Sequence, residues 1–354
     1  MAPILTYSEN INSDSDKKFP YAIKEVEEKV NKELLTKFTG EKTTFLQVGP
    51  KDYFLPSGYR KEANHYYTFA LRPNDVFIVT FPRSGTTLTQ ELVWLLANNL
   101  DFKKAAQIPL KQRCPFLEFS SLLHEEVKSE LLKKNQSNPA KCEVIHKLSS
   151  PCWRYFQEMS ERRFIKTHLP LSLLPPNLSD VGCKVIYVAR NPKDVAVSDY
   201  HLCKAHISQG YNGDFEEFWK LFQKGHVPYS PYWEHIKEGW NSRNKDNLLF
   251  LFYEDMIKDL RKCIEKVSKF LGQSYKHEEI ALLEAHLSID NFKNNKSVNN
   301  EDFKELGVML KDQEGFIRKG TNGGWRNYFD DKLNIEAERW IEDNSKGLDL
   351  QFSF

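Results

Sequence analysis

The sequence predicts an α/β fold: a single domain with a central parallel β-sheet flanked by helices. Four short runs are almost continuously apolar, as expected of parallel strands that are buried on both faces: Val76–Thr80, Phe164–Thr167, Lys184–Ala189 and 248–253. Helical patterns follow three of them, at 86–98, 195–205 and 261–271. Alternating strands and helices indicate one parallel sheet, with its chemistry at the carboxyl ends of the strands.

Composition narrows the class of protein. The 354 residues are 40% hydrophobic, enough for a large core, and 50 Lys and Arg nearly balance 49 Asp and Glu. This balance argues against a nucleic-acid partner, which needs a basic surface. Residues 1–20 lack the apolar core of a signal peptide, and no run approaches the roughly 20 apolar residues of a membrane span. We therefore expect a flexible tail at 1–20, one domain at 21–354, and a cytoplasmic enzyme.

Other segments carry weaker signals. Residues 22–38 have helical spacing and many charges, which predicts an amphipathic surface helix, and 125–134 also reads as a helix. The long stretch 100–160 is either a lid insertion beside the site or a surface elaboration without a role. Six cysteines are scattered without metal-ligand spacing, which predicts free thiols in a reducing compartment.

The loop after the first strand is the strongest functional signal. Residues 80–88 read Thr-Phe-Pro-Arg-Ser-Gly-Thr-Thr-Leu, a tight turn leading directly into a helix. Backbone N–H groups at such a helix start converge on one point and suit a phosphate or sulfate group. The loop adds positive charge and hydroxyl donors: Arg83, Ser84, Thr86 and Thr87. It is not a Walker A loop, because Thr80 replaces the first glycine and no lysine follows Gly85.

A candidate base lies at the end of the second strand. His168 follows Lys166 by two residues, so period-2 geometry places both side chains on the same face. A single histidine is more often structural than catalytic. At a strand terminus beside a lysine, however, it is suited to abstracting a proton near neutral pH.

Four further segments complete a family pattern. Residues 164–170 read Phe-Ile-Lys-Thr-His-Leu-Pro, and 184–198 read Lys-Val-Ile-Tyr-Val-Ala-Arg-Asn-Pro-Lys-Asp-Val-Ala-Val-Ser. Residues 253–256 read Tyr-Glu-Asp-Met, and 316–329 contain Arg-Lys-Gly followed by Gly-Gly-Trp-Arg-Asn-Tyr-Phe. With the loop, these segments resemble the cytosolic sulfotransferase family from about residue 70 to the C-terminus. The resemblance implies 3′-phosphoadenosine 5′-phosphosulfate (PAPS) as donor, PAP as product, and no metal.

The resemblance also implies roles for individual residues. A P-loop-like phosphosulfate-binding loop is formed by Arg83, Ser84, Gly85, Thr86 and Thr87. The remaining donor ligands are Arg190, Ser198, Tyr253, Arg318, Lys319 and Gly320. His168 is the expected base, with Lys166 and Arg83 offsetting charge on the transferred group and on the leaving phosphate. Asn191 and Pro192 are suited to start the helix that carries Ser198.

The sequence departs from the family pattern in three places. The family usually has lysine at the Arg83 position. Arginine keeps the positive charge but presents a planar fork of donors instead of a single ammonium, so we expect altered contacts to the donor. The positions that usually stack the adenine fall on aliphatic Leu88 and Ile289, with Phe292 as an alternative. The dimer motif common near the C-terminus is not matched, so a monomer or a different interface is expected.

The acceptor is the least determined feature. Phe81 and His206 match positions that often line the acceptor pocket, and Tyr232 is a candidate for steering an elimination. Aromatic residues make up 13% of the chain, which fits a small hydrophobic alcohol or phenol, such as a steroid or retinoid.

Three alternatives remain open. The retinol dehydratase branch of the family uses the same donor, and sulfate leaves an allylic alcohol to give anhydroretinol. A non-catalytic hydrophobic-ligand carrier would not need Lys166 and His168 beside an anion loop. A P-loop kinase is disfavoured by the missing lysine.

Overall fold

A four-stranded parallel sheet organises the structure, a computed structural model that describes residues 18–311, 317, 320 and 322–352. Within these residues the strands are β1 Ile23–Glu25, β2 Phe45–Val48, β3 Tyr53–Pro56, β4 Val76–Thr80, β5 Phe164–Thr167, β6 Lys184–Ala189 and β7 Leu248–Phe252. The helices are α1 Glu28–Lys37, α2 Tyr59–Tyr67, α3 Thr86–Ala97, α4 Phe102–Gln107, α5 Leu110–Arg113, α6 Glu125–Lys134, α7 Pro139–Leu148, α8 Cys152–Glu158, α9 Leu178–Val181, α10 Pro192–Ala205, α11 Phe215–Gln223, α12 Tyr232–Asn241, α13 Tyr253–Lys258, α14 Leu260–Leu271, α15 His277–His286, α16 Ile289–Asn294, α17 Glu301–Leu306 and α18 Asp331–Ser345. Short 3₁₀ helices lie at Phe119–Leu122, Leu171–Leu173 and Gly324–Asn327.

The predicted fold class is confirmed. The sheet has the order β5-β4-β6-β7, and all three neighbouring pairs are parallel. The two strands flanking β4 are in register with it, since Val76 lies opposite both Phe164 and Lys184. The last strand ends one residue earlier than predicted, because Tyr253 begins α13.

Both faces of the sheet are buried in apolar clusters. Phe77 and Val79 point into one cluster, while Val76 and Ile78 point into the other. This alternation follows from the period-2 geometry of a strand. It also explains why these strands read as continuous apolar runs, and it directs the polar residues to the strand ends.

The predicted surface helix at 22–38 is correct only in its second part. Ile23–Glu25 form β1, which pairs antiparallel with β2, and the helix begins at Glu28. The β2–β3 hairpin was missed, although Phe45–Val48 and Tyr53–Pro56 flank a turn with Gly49 at φ +76°. Pairing with this hairpin overrides the local helical preference of residues 23–25.

The stretch 100–160 is largely helical. It contains α4–α8, and the predicted helix at 125–134 is confirmed. Leu123, Val127, Leu131 and Ile145 pack with Phe303 and its neighbours in a separate apolar cluster. The insertion is therefore anchored on the segment that precedes the C-terminal glycine-rich loop; its role as a lid stays a prediction.

The six cysteines, all within the described residues, are free thiols. The expected N-terminal tail falls almost entirely on residues 1–17, outside the described residues. In the part of the chain that the structure covers, no helix combines the length and the apolar character needed to cross a bilayer.

Candidate active site

The loop between β4 and α3 forms a backbone cradle. Arg83 has φ +67° and Gly85 has φ +94°, so the chain reverses sharply before α3 begins at Thr86. A Cβ on Gly85 would lie 2.4 Å from Cδ2 of Tyr253, which explains the glycine there. The turn thereby exposes the first N–H groups of α3, a common anion-binding arrangement.

Two guanidinium groups converge on this cradle. Arg83 Nε donates to the Ser198 hydroxyl at 2.9 Å, and Arg190 Nη1 donates to the Arg83 carbonyl at 3.0 Å. The Arg190 guanidinium also lies over the Tyr253 ring, 4.5 Å from its centroid. The structure thus brings together four predicted donor ligands, Arg83, Arg190, Ser198 and Tyr253, from three separate segments. The helix start is as predicted: Asn191 caps α10 by accepting from the Lys193 N–H at 2.9 Å.

One hydroxyl of the cradle has no protein partner. Ser84 is fully buried, and its Oγ makes no hydrogen bond to any described residue. Thr86 Oγ1, by contrast, is hydrogen-bonded to Thr80 Oγ1 at 2.7 Å. Ser84 itself does not line the cavity, so the part of the cradle open to an anion consists of the first N–H groups of α3 and the two guanidinium groups, with the orphaned hydroxyl enclosed beside them.

The distal donor loop is described only in part. Arg318 and Lys319 lie outside the described residues. Gly320 lines the cavity with φ +62°, and a Cβ there would lie 2.4 Å from Ile289 Cδ1. Ile289 lines the same cavity, as do Leu88 and Phe292, the other positions considered for the adenine.

A cavity of about 1100 Å³ runs from the cradle to His168 and on to an aromatic wall. It is lined at the donor end by Arg83, Gly85, Thr86, Thr87, Arg190, Ser198 and Tyr253, and at the other end by Lys166, His168, His206, Phe116, Phe119 and Tyr229. One continuous space can therefore hold an anionic donor and an apolar molecule side by side.

His168 is held in one tautomer. Its Nδ1 lies 2.8 Å from the Thr80 carbonyl oxygen, which can only accept, so Nδ1 carries the proton. Nε2 is then the basic nitrogen. The ring is further fixed through its backbone, because His235 Nε2 donates to the His168 carbonyl at 2.9 Å.

Burial keeps His168 neutral. Desolvation, together with the charge of Lys166, lowers the pKa of His168 well below its ordinary value. Burial also lowers the pKa of Lys166 to about 8, against the opposing charge of Glu118. The Lys166 ammonium lies 4.0 Å from the Phe116 ring centroid, and the same ring meets His168 edge-on at 4.9 Å. A proton acceptor and a cation therefore share one wall of the cavity.

Glu118 supports this pair and was missed by sequence analysis. Its Oε1 accepts the His168 backbone N–H at 2.6 Å, and its Oε2 accepts the Thr167 hydroxyl at 2.8 Å. Glu118 is fully buried, and burial raises its pKa to about 7. The signal that could have revealed it is an acidic residue inside the apolar run Pro-Phe-Leu-Glu-Phe at 115–119.

The acceptor end has aromatic walls. Tyr229 meets His168 with 5.5 Å between ring centroids, and Phe119 meets His206 at 6.2 Å. His206 is held by a 2.8 Å hydrogen bond between Nδ1 and the Ser208 hydroxyl, and burial lowers its pKa to about 4. His206 thus lines the cavity as a neutral ring.

Phe81 and Tyr232 are not where the sequence suggested. Neither is on the cavity wall; both are fully buried behind it, with 5.2 Å between their ring centroids. The Tyr232 hydroxyl donates to the Arg190 carbonyl, so it faces the backbone of the donor pocket. Tyr232 therefore does not reach the cavity wall, and its role in steering an elimination stays a prediction; Phe81 packs behind the wall.

Within the described residues there is no group of three His, Cys, Asp or Glu side chains arranged to hold a metal ion.

Comparison with known proteins gives a consistent result. The family model for the sulfotransferase domain matches residues 73–349. Luciferin sulfotransferase of Photinus pyralis is 32% identical over 328 residues, covering 91% of this chain and 85% of that protein. Sulfotransferase 1E1 of Bos taurus is 34% identical over 308 residues, covering 85% and 96% respectively.

Solved structures extend the similarity to nearly the whole chain. Retinol dehydratase in complex with androsterone and the inactive cofactor PAP is 39% identical, with a TM-score of 0.89 over 95% of this chain and 99% of that one. Retinol dehydratase in complex with retinol and PAP gives the same identity and TM-score, over 95% and 100%. The chain is therefore an enzyme that belongs to the sulfotransferase family.

Proposed function

We propose that the protein transfers a sulfuryl group from PAPS to the hydroxyl of a small hydrophobic alcohol or phenol, with His168 as general base. The observation that carries the proposal is the state of His168: neutral, with Nδ1 committed to the Thr80 carbonyl, in the same cavity as the anion cradle. That state leaves Nε2 able to take the proton of an acceptor hydroxyl.

The donor would be held by the cradle and by the two guanidinium groups. Ser84 offers an orphaned hydroxyl, and Arg83 and Arg190 offer charge-assisted hydrogen bonds. The bound donor supplies the sulfuryl group and leaves as PAP. Both retinol dehydratase structures contain PAP, which supports this assignment.

Lys166 and Arg83 would offset negative charge on the transferred sulfuryl group and on the leaving phosphate. Both line the cavity, and the partly buried Lys166 shares the Phe116 ring with His168. Preorganised charges of this kind contribute roughly 3 kcal/mol each to lowering a barrier. Partial burial lowers the dielectric around these groups and strengthens such interactions relative to water.

The acceptor would lie between the aromatic walls near Phe116, Phe119 and Tyr229. The insertion contributes Val144, Leu148 and residues of α8 to the cavity wall, so we propose that it acts as a lid. Androsterone and retinol, bound by retinol dehydratase, are hydrophobic alcohols that suit such a space.

Six free thiols fit a reducing compartment, and we propose a cytoplasmic location on that basis.

A second candidate is the dehydratase reaction with the same donor. It is favoured by the 39% identity to retinol dehydratase across 95% of this chain, against 32–34% for the two sulfotransferases above. In this reaction transient sulfonation of an allylic alcohol precedes elimination to anhydroretinol.

The experiment is an incubation of the purified protein with sulfur-labelled PAPS and a panel of phenols, steroids and retinol. Chromatography would follow both the label and the organic product. Label retained in an ester establishes the sulfotransferase reaction, whereas retinol converted to a hydrocarbon with label released as sulfate establishes the dehydratase. No donor consumption with any acceptor would contradict both.

A further inference from the structure

A buried carboxylate on the cavity wall has no role in the chemistry above. Asp199 is only 3% exposed, yet it lines the cavity. No described residue hydrogen-bonds or ion-pairs with its carboxylate. Its oxygen atoms are not among the enclosed, unpaired side-chain atoms of the described residues, so they border the cavity, where a bound group can reach them. Buried polar groups in native proteins are nearly always hydrogen-bonded.

Asp199 lies where the donor and acceptor ends of the cavity meet. It directly follows Ser198, which contacts Arg83, and it shares a helical face with Leu202, Cys203 and His206. Its charge also acts on Tyr229, the ring that meets His168. A group bound at Asp199 would therefore lie within the acceptor space.

The surroundings of Asp199 suit a ligand that donates a hydrogen bond. Burial raises its pKa to about 7, while the charge of Arg83 opposes the rise. The described neighbours along α10 are a leucine, a thiol and a neutral histidine, none of which bonds to it. An ionised carboxylate only accepts hydrogen bonds, and a protonated carboxyl still keeps a free acceptor oxygen.

We propose that Asp199 binds a second hydrogen-bond-donating group of the acceptor, a hydroxyl or an ammonium, at a distance from the hydroxyl that is sulfonated. The inference rests on the proposed function and narrows its substrate class to acceptors with two polar groups. A site built to hydrogen-bond a substrate group discriminates strongly against the analogue lacking it, because its own polar group is then left unpaired.

The test uses para-substituted phenols whose alkyl chain of two to six carbons ends in a methyl, a hydroxyl or an ammonium group. kcat/KM for labelled sulfuryl transfer would be compared between wild type, Asp199→Asn and Asp199→Ala, with exposed Asp246→Asn as the charge-matched control. Calorimetry of PAP binding and thermal unfolding would verify that each variant is folded. The affinity of the same phenols for the PAP-loaded protein, measured by calorimetry, gives a second readout.

At the chain length that reaches Asp199, wild type should prefer a hydroxyl or ammonium end over a methyl end by about tenfold or more. In both Asp199 variants this ratio should fall to about one, with PAP affinity retained; Asp246→Asn should keep the ratio. If wild type prefers only the hydroxyl end or only the ammonium end over the methyl end, that preference identifies the group that Asp199 binds.

If the ratio of kcat/KM between chain ends is unchanged in the variants, the proposal is overturned. It is also overturned if kcat/KM falls equally for all acceptors and PAP binding weakens, because that result would place Asp199 on the donor side. If wild type transfers no label to these phenols or to any acceptor of the panel above, the proposed function fails, and the calorimetric ratio still decides the role of Asp199.

Discussion

Replacing Glu118 by glutamine tests how the fold positions the base. The carboxylate accepts from the His168 backbone N–H and from the Thr167 hydroxyl, whereas an amide has only one acceptor oxygen. One buried donor therefore loses its partner, which costs about 1–3 kcal/mol. We expect kcat to fall about tenfold in Glu118→Gln and about 100-fold in Glu118→Ala, because small displacements of a catalytic group are costly.

The stability of this variant should depend on pH in a definite direction. Burial raises the pKa of Glu118 from 4.5 to about 7. Between these values the folded protein holds a proton that the unfolded chain has lost, so the contribution of Glu118 to stability falls as pH rises. The loss is about 3 kcal/mol in all. Glutamine does not titrate, so the free energy of unfolding of the variant should gain about 2.5 kcal/mol relative to wild type between pH 5 and pH 8.

Urea unfolding at pH 5 and at pH 8 measures this difference directly. Glu130→Gln, an exposed site on α6, controls for the loss of a carboxylate in the same insertion. The reasoning would be refuted if the stability difference between Glu118→Gln and wild type were the same at both pH values.

Three further substitutions probe the cradle and the cation. Ser84→Ala removes the orphaned hydroxyl and should weaken PAP binding about tenfold by calorimetry; unchanged affinity would remove Ser84 from the donor site. Gly85→Ala forces a Cβ at φ +94° against Tyr253, so it should destabilise the fold by about 1–3 kcal/mol and abolish PAP binding; wild-type binding would contradict the steric argument. Lys166→Met removes a charge that lowers the pKa of His168, so the acid limb of the pH–rate profile should move to higher pH and kcat should fall about 100-fold; an unmoved profile would exclude the coupling.

The central sheet was predictable because its signals are local. Strands buried on both faces need an apolar side chain at nearly every position, and β4, β5 and β6 have the predicted bounds. The N-terminal hairpin was missed although its glycine turn is visible in the sequence. The local pattern at Ile23–Glu25 predicts helix, and the strand forms there because its pairing partner, more than 20 residues away in sequence, lies beside it in the fold.

In the candidate site, too, short local segments were predictable and contacts between distant residues were not. The anion loop and His168 were recognisable because each is a short segment at a strand end. Glu118 and His168 lie 50 positions apart in sequence, so the acidic residue in the apolar run at 115–119 could mark Glu118 but not its contact with His168. The orientation of Tyr232 could not be predicted, because sequence does not reveal which side of a helix a ring faces, and its hydroxyl donates to the Arg190 carbonyl.

The most direct test of the account is a comparison of His168→Ala with wild type in a single-turnover assay with labelled PAPS and an accepted phenol. Exposed His277→Ala serves as the matched control. We expect His168→Ala to lose sulfuryl transfer by at least about 100-fold, the scale of general-base catalysis, while its affinity for PAP stays close to that of wild type. Transfer at the wild-type rate in His168→Ala would contradict the assignment of His168 as the base.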